Sequence, residues 1–270
     1  MAQYTPEYQP TGDEVAVITT SKGTVRVQLA GKDAPIHVGN FVELARKAEE
    51  DMLPSERSIG GTVHIGAGES QAMTLIAQAM DEVRRTYPAV DFAIHSGTTA
   101  ELKDGLVRGF YDVMLECEMR EHAKMNAMRL PVTDVWGALA LRDSAVGRLE
   151  GIAPSDLAGQ GIIASRQALA GTLRDWAGDA LDRMDVVATF NLPLNGRYLV
   201  RQGMGCMLTY EGLFDASESS DLRFVPFAPR FEAHQGLVWR SSMPNKQTQA
   251  FLDAMERVCA RHAEDDAGIS

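Results

Sequence analysis

The sequence lacks the features that several classes of protein require. It has only three cysteines, Cys117, Cys206 and Cys259, whose odd number and wide spacing argue against a disulfide framework and favour a reducing cytoplasm. It has no stretch of about 18 apolar residues that would form a transmembrane helix, and no cationic segment before an apolar run that would form a signal peptide. The net charge is −11, and the chain contains no long basic run. We therefore expect a cytoplasmic protein that has no membrane contact and does not bind DNA directly.

Catalytic and metal-binding motifs are missing as well. The six histidines include no HxxxH pair, and the chain contains no GxSxG elbow. Glu116 and Glu118 lie beside a strand end and are interpreted as surface carboxylates. Cys117 and Cys206 would form a redox switch only if the fold brought them together, and two unreactive thiols are the simpler interpretation. The sequence predicts no enzyme, no metal site and no cofactor.

The first part of the chain has its own pattern. Strand-like runs at 15–20 and 24–29, joined by Ser21-Lys22-Gly23, predict a hairpin. Apolar residues at helical spacing after Pro35 predict a helix that ends near Pro54.

From residue 62 onward, strands alternate with helices. Strands are predicted at 62–66, 90–95, 111–115 and 125–130, and helices at 70–87 and 99–109. A crossing between lobes is expected at 131–133, followed by a second α/β set with a helix near 169–180 and a closing helix over 245–262. Strand–helix–strand units in series predict parallel strands with right-handed crossovers.

Two loops follow parallel strands of the first set. They are Gly66-Ala67-Gly68-Glu69-Ser70-Gln71 and Ser96-Gly97-Thr98-Thr99. Ligands bind at this edge of open α/β sheets, and amides at helix N-termini suit an anion. For any single residue of these loops, helix capping alone explains the residue type as well as ligand binding does. A dinucleotide-binding GxGxxG interpretation fails, because Gln71 stands at the third glycine and Ser96 stands near the position expected for an acidic residue.

The second set offers weaker candidates. Arg166 would suit an anionic ligand, although a solvated surface arginine is equally compatible. Asn191 would hydrogen-bond a ligand, although turn chemistry explains it too. Gly203-Met204-Gly205 predicts a close backbone turn into a buried strand.

From about residue 47 onward, the sequence resembles a LysR-type transcriptional regulator without its helix-turn-helix. The similar segments, in order, are 59–66, 87–92, 96–109, Tyr111-Asp112, Val200 with Gly203-Met204-Gly205, and Leu237-Val238. The resemblance implies an α/β fold of two Rossmann-like lobes, as in type 2 periplasmic binding proteins, preceded by the hairpin and helix. It implies an N-terminal segment at 1–58, an effector-binding domain at 59–262 and a tail at 263–270. Lobe I would comprise 59–130 and 226–262, and lobe II 131–225.

The resemblance also implies a function, which is effector sensing in transcription regulation. By motif position, the ligand-binding residues would be Ser70, Gln71, Ser96, Thr98, Ser165 and Asn191. The expected partners are a small anionic metabolite and either a second copy of the chain or a related regulator. A solute-binding protein of a transporter is an alternative, against which the missing export signal argues.

Residues 1–47 resemble something different, the N-terminal fragment of a cyclophilin-type peptidyl-prolyl isomerase. The similar segments are 15–29, Asp33-Ala34-Pro35 and 40–47. The family's later catalytic segment and remaining strands are missing, and two strands with one helix cannot close a barrel. A truncated or fused isomerase is thus the alternative function, and we expect no isomerase activity.

Overall fold

A computed structural model describes residues 6–20, 22–52 and 59–269. The chain divides into two compact units, residues 1–58 and residues 59–270. Ser21 of the predicted turn and Pro54 of the predicted helix end lie outside the described residues.

The first unit is small and open. It contains strand β1 (Val15–Thr20), strand β2 (Gly23–Gln28) and helix α1 (Pro35–Met52). The strands form an antiparallel hairpin in which Val15 lies opposite Gln28. Val17 and Val25 are 52% and 55% exposed, so the hairpin does not enclose a core of its own. The predicted hairpin and helix are confirmed.

The second unit alternates strands and helices. Its elements are β3 (Gly61–Ala67), α2 (Met73–Thr86), β4 (Val90–Ser96), α3 (Thr99–Arg108), β5 (Val113–Glu116), β6 (Met125–Leu141), β7 (Gly161–Ser165), α4 (Arg166–Ala170), α5 (Thr172–Ala177), β8 (Asp185–Phe190), α6 (Gly196–Arg201), β9 (Cys206–Tyr210), β10 (Leu222–Pro226), β11 (Glu232–Arg240) and α7 (Lys246–Ile269). Helix α2 buries Leu75, Ile76, Ala79 and Val83, which recur at helical spacing on one face.

The strands form a mixed sheet in the order β4-β3-β5-β11-β6-β9-β7-β8, with β10 also paired to β6. Strand β3 runs parallel to β4 and β5, and β7 runs parallel to β8 and β9. The first half of β6 pairs with β11, whereas its second half pairs with β9 and β10. Strand β6 therefore belongs to both halves of the unit.

Each half of the second unit has its own hydrophobic core. The first packs β3 against α2 and α7 and includes Val63, Ile65, Phe251 and Met255. The second surrounds β7 and β9 and includes Trp136, Ile162, Leu173, Leu208 and Phe227. The α/β fold with two Rossmann-like halves, of the type 2 periplasmic-binding kind, is confirmed.

Several predicted boundaries were wrong. The strand predicted at 125–130 does not end there but continues to Leu141 as one 17-residue strand, β6; the crossing expected at 131–133 lies close to where β6 passes from the first half of the unit to the second. The pairing of β6 with β11 is irregular where β11 passes from His234 to Gly236, opposite Pro131. Proline has no N–H to donate, so the pairing is interrupted there while the strand continues.

The helices differ from prediction too. The helix at 70–87 starts at Met73, because the Ser70 hydroxyl accepts a hydrogen bond from the Ala72 N–H at 3.0 Å and keeps that turn outside the helix. The helix near 169–180 is broken at Gly171, whose φ of −134° and ψ of −105° are not helical. The expected tail at 263–270 is helical as far as Ile269.

Candidate functional site

A cleft separates the two halves of the second unit at the carboxyl ends of their parallel strands. We call the loops after β3 and β4 the first wall, the segments after β7 and β8 the second wall, and the residues between them the floor. The empty volume is about 610 Å³, counting space that is open to solvent. The lining comprises Gly68, Glu69, Gly97, Thr98 and Thr99 of the first wall, Ser165, Gln167, Ala168, Phe190, Asn191, Leu192 and Pro193 of the second wall, and Cys117, Glu118, Trp136, Leu208, Thr209, Tyr210 and Leu213 of the floor.

Three of the six predicted ligand-binding residues line this cleft, namely Thr98, Ser165 and Asn191. Thr98 is also the N-cap of α3 and forms a full capping box with Glu101. Ser165 precedes α4 without a side-chain cap hydrogen bond. The Asn191 side-chain oxygen accepts a hydrogen bond from the Leu192 N–H at 3.0 Å, as expected of a turn residue.

Ser70 and Ser96 lie together in a neighbouring cavity rather than in the cleft. That cavity has an empty volume of about 720 Å³, again counting open space, and shares Gly68 and Glu69 with the cleft. Ser70 is 5% exposed, and its hydroxyl is engaged by the Ala72 N–H. The two loops do lie side by side, as their position on adjacent strands predicts.

Gln71 lines neither cavity. Its side-chain Nε2 donates to the carbonyl oxygen of Glu211 at 2.8 Å, and its backbone N–H donates to the Asp134 carboxylate at 3.3 Å. In this structure the Gln71 side chain therefore joins the first wall to the turn after β9, and its predicted contact with a ligand stays a prediction.

A second polar contact crosses the cleft itself. The Thr99 N–H donates to the Gln167 side-chain oxygen at 3.1 Å, and Gln167 Nε2 donates back to the Thr99 hydroxyl at 2.9 Å. Sequence patterns gave no sign of this pair, because the two residues are 68 positions apart. The reciprocal bonds connect the two walls directly.

The floor contains a carboxylate that the sequence interpretation placed on the surface. Glu118 accepts hydrogen bonds from the Tyr210 hydroxyl, at 3.2 Å, and from the Thr172 hydroxyl. Its φ of 65° is positive, which is uncommon for a residue with a side chain. Glu116 is not on the surface either, since it is 3% exposed and lies 2.6 Å from His122 Nε2. Both surface assignments were wrong.

Burial raises the pKa of several acidic groups in and around the cleft. Burial raises the pKa of the Glu69 carboxyl and of the Asp134 carboxyl. Burial, and then the charges of Asp134, Glu118, Glu116 and Glu69, raise the pKa of the Cys117 thiol, which therefore stays protonated and unreactive. Burial raises the pKa of Cys206 to about 12.

The cleft lining includes Glu69 and Glu118 but no Lys, Arg or His. Arg166, which the sequence suggested as a partner for an anionic ligand, is exposed and does not line the cleft. The expected anionic ligand therefore has no positively charged partner among the lining residues. Among the residues described, no cluster of three or more His, Cys, Asp or Glu side chains is arranged to hold a metal ion. None of the helices in the described ranges has the length and apolar character of a membrane span.

The chain is similar to one family along most of its length. The model of the LysR substrate binding domain matches residues 56–260. An uncharacterised HTH-type transcriptional regulator from Bacillus subtilis (strain 168), YvbU, is 23% identical over 101 residues, which cover 37% of this chain and 35% of that protein. The chain thus spans about a third of the length of this curated relative.

Solved structures share the fold at low sequence identity. The reduced OxyR regulatory domain of Pseudomonas aeruginosa has a TM-score of 0.58 at 17% identity, with 73% of this chain and 97% of that chain covered. The effector-binding domain of a BenM variant has a TM-score of 0.60 at 14% identity, covering 75% and 96%. Full-length CbnR in complex with its target DNA has a TM-score of 0.62 at 13% identity, covering 85% and 82%. The cyclophilin-type resemblance of residues 1–47 gains no support from these matches.

Proposed function

Since this chain belongs to the LysR substrate-binding domain family, we propose that it senses a small-molecule effector in the cleft and takes part in transcription regulation. The observation that carries the proposal is the placement of polar groups from both walls around one cleft that is open to solvent. Thr98 comes from the first wall, and Ser165 and Asn191 come from the second. A ligand that touches both walls binds one arrangement of the two halves more tightly than another.

The hydrogen bonds between Thr99 and Gln167 support the same proposal. They connect the walls at the rim of the cleft without filling it. An effector that adds contacts between the walls shifts the population towards the closed arrangement, by an amount set by its differential affinity. Division into lobes at 59–130 with 226–262 and at 131–225 remains part of this proposal, as does pairing with a second copy or a related regulator.

A thermal-shift screen with cleft-blocking variants tests the proposal. The library contains equal numbers of small cations, anions and neutral metabolites. In Asn191→Trp, an exposed residue of the second wall is replaced by one that fills the cleft. The matched control is Asn195→Trp, an exposed asparagine four residues further on that does not line the cleft. We expect at least one compound to raise the Tm of the parent and of N195W but not of N191W.

The opposite result is equally clear. If every compound that stabilises the parent also stabilises N191W, or if no compound stabilises the parent, the sensing function is abandoned. No observation favours an isomerase, and we expect a proline-peptide isomerisation assay to show no catalysis.

A further inference from the structure

The floor of the cleft combines carboxylates with aromatic rings. Trp136 and Tyr210 line it with ring centroids 4.5 Å apart, and Phe190 lines the second wall nearby. Aromatic faces carry negative potential and attract cations within about 6 Å of the ring centre. Glu118 shares this floor and is bonded to the Tyr210 hydroxyl, so a formal negative charge lies next to the rings.

Among the residues that the structure describes, no ion-pair partner balances the carboxylates of Glu69 and Glu118. Within the described part of the chain, neither carboxylate forms an ion pair with Lys, Arg or His. Glu116 differs, since it is paired with buried His122. Hydroxyl groups of Thr172 and Tyr210 hold Glu118 in place without neutralising it. A partly buried, unpaired carboxylate is costly, and a cation bound beside it offsets that cost.

An independent feature of the same floor also points to a ligand. The indole Nε1 of Trp136 is buried and has no hydrogen-bond partner, and the side chain is 4% exposed. An indole N–H is a donor only, so it is satisfied by an acceptor atom. Buried donors without a partner are rare in proteins, and an unfilled binding site is one reason for them.

Resting on the sensing function proposed above, we infer that the ligand is a small organic cation: a protonated amine that also carries a hydrogen-bond-accepting oxygen. The ammonium group lies between Glu118 and the aromatic faces, with Glu69 adding to the attraction. The accepting oxygen bonds Trp136 Nε1, which has no accessible surface in this structure, only after the side chains around the indole move aside. Burial, and after it the charges of nearby carboxylates, raise the pKa of the Cys117 thiol; the carboxylates favour a bound ammonium, whereas burial opposes it.

Three compounds that differ in one terminal group test the inference. Tyramine carries an ammonium, 4-hydroxyphenylacetate a carboxylate and 4-hydroxyphenylethanol a neutral hydroxyl, while the phenol ring is common to all three. Titration calorimetry with the full chain measures each affinity. We expect tyramine to bind on the order of tenfold more tightly than the neutral alcohol, and the carboxylate to bind more weakly than both. Raising the salt concentration should weaken tyramine binding alone.

Two matched substitutions separate the local charge from the net charge of the protein. Glu118→Gln removes the charge from the floor and keeps one acceptor oxygen for either Tyr210 or Thr172, while the other hydroxyl meets an amide NH2 from which it accepts a hydrogen bond. Glu121→Gln removes a charge from an exposed residue of the same segment, outside the cleft. We expect E118Q to lose the preference for tyramine over the alcohol and E121Q to keep it. If E118Q does not fold, Glu69→Gln replaces it, with a smaller loss expected.

The outcomes distinguish the ligand class from the sensing function. Stronger binding of the carboxylate, or equal binding of all three compounds, overturns the cationic ligand. The cationic ligand is also overturned if none of the three compounds binds and the library compounds that stabilise the parent but not N191W are not amines. The sensing function stands in that case. If no library compound needs an open cleft, both are overturned.

Discussion

The two walls of the cleft use hydroxyl groups in different ways. Thr98 and Ser165 each stand between a parallel strand and the helix that follows. The Thr98 hydroxyl bonds the carboxylate of Glu101 at 2.8 Å and caps α3, whereas Ser165 makes no cap hydrogen bond. The Thr98 hydroxyl can therefore bond a ligand only in addition to its capping bonds, whereas the Ser165 hydroxyl has no cap bond to compete with a ligand. Position alone therefore does not distinguish a capping residue from a binding residue.

A close backbone contact lies where β7 begins, at the other end of that strand from the second wall. A Cβ on Gly205 would lie 1.9 Å from the carbonyl oxygen of Gly161, and its φ is +150°. We expect Gly205→Ala to lower the free energy of unfolding by about 3 kcal/mol or more, because backbone must move on both strands. Urea denaturation followed by circular dichroism measures this change.

Gly203→Ala is the control for that substitution. Gly203 has a φ of +74°, but nothing lies within 4 Å of an added Cβ. Its cost is limited to the left-handed backbone conformation, about 1 kcal/mol. Equal losses in G203A and G205A would show that strand packing beneath the second wall is looser than the structure indicates.

Removing the hydroxyl of Thr98 or of Ser165 should affect different properties of the protein. We expect Thr98→Ala to lower the free energy of unfolding by about 1 kcal/mol, because the capping box is lost. Ser165→Ala should leave the free energy of unfolding unchanged and should instead weaken the binding of a ligand in the cleft. Thermal unfolding of both variants without a ligand measures stability, and the rise in Tm with a compound from the screen measures ligand binding. A large stability loss in S165A would remove the difference between the walls.

Sequence reasoning located these loops because their signals are local. The helix predicted at 99–109 agrees closely with α3, and the alternation of strands and helices places the loops after parallel strands at one sheet edge. The contacts in the floor could not be predicted, because the residues that form them are far apart in the sequence. Glu118 meets Thr172 across 54 positions and Tyr210 across 92, and no periodicity records such pairs.

The contact between the walls should have a smaller, local effect. The Thr99 N–H is held by the Gln167 side chain at 3.1 Å. We expect Gln167→Ala to speed hydrogen exchange of the Thr99 amide on the order of fivefold, since one partly exposed hydrogen bond contributes about 1 kcal/mol. The control is Gln249→Ala, which removes a side-chain bond to Asp253 on α7. Unchanged exchange in Q167A would mean that the walls are not joined at this point.

The smallest effect is a pair of opposite pH dependences within the first wall. Burial raises the pKa of Glu69 above its ordinary value of 4.5. Its contribution to stability is therefore present below about that pH and is lost as pH rises through the raised pKa. Hydrogen bonds from the Thr98 backbone and side chain lower the pKa of Glu101, whose contribution is present above its ordinary value and is lost as pH falls.

Substitution of each carboxyl by its amide isolates these contributions. Relative to the parent, Glu69→Gln should gain stability between pH 4 and pH 7, because the parent alone bears the cost of an ionised, partly buried group. Glu101→Gln should lose stability over the same range, because only the parent gains a charged cap. Tm measured at both pH values for the three proteins gives the signs directly. Changes of the same sign in both variants would show that net charge, rather than the local surroundings of each carboxyl, controls the pH dependence of this wall.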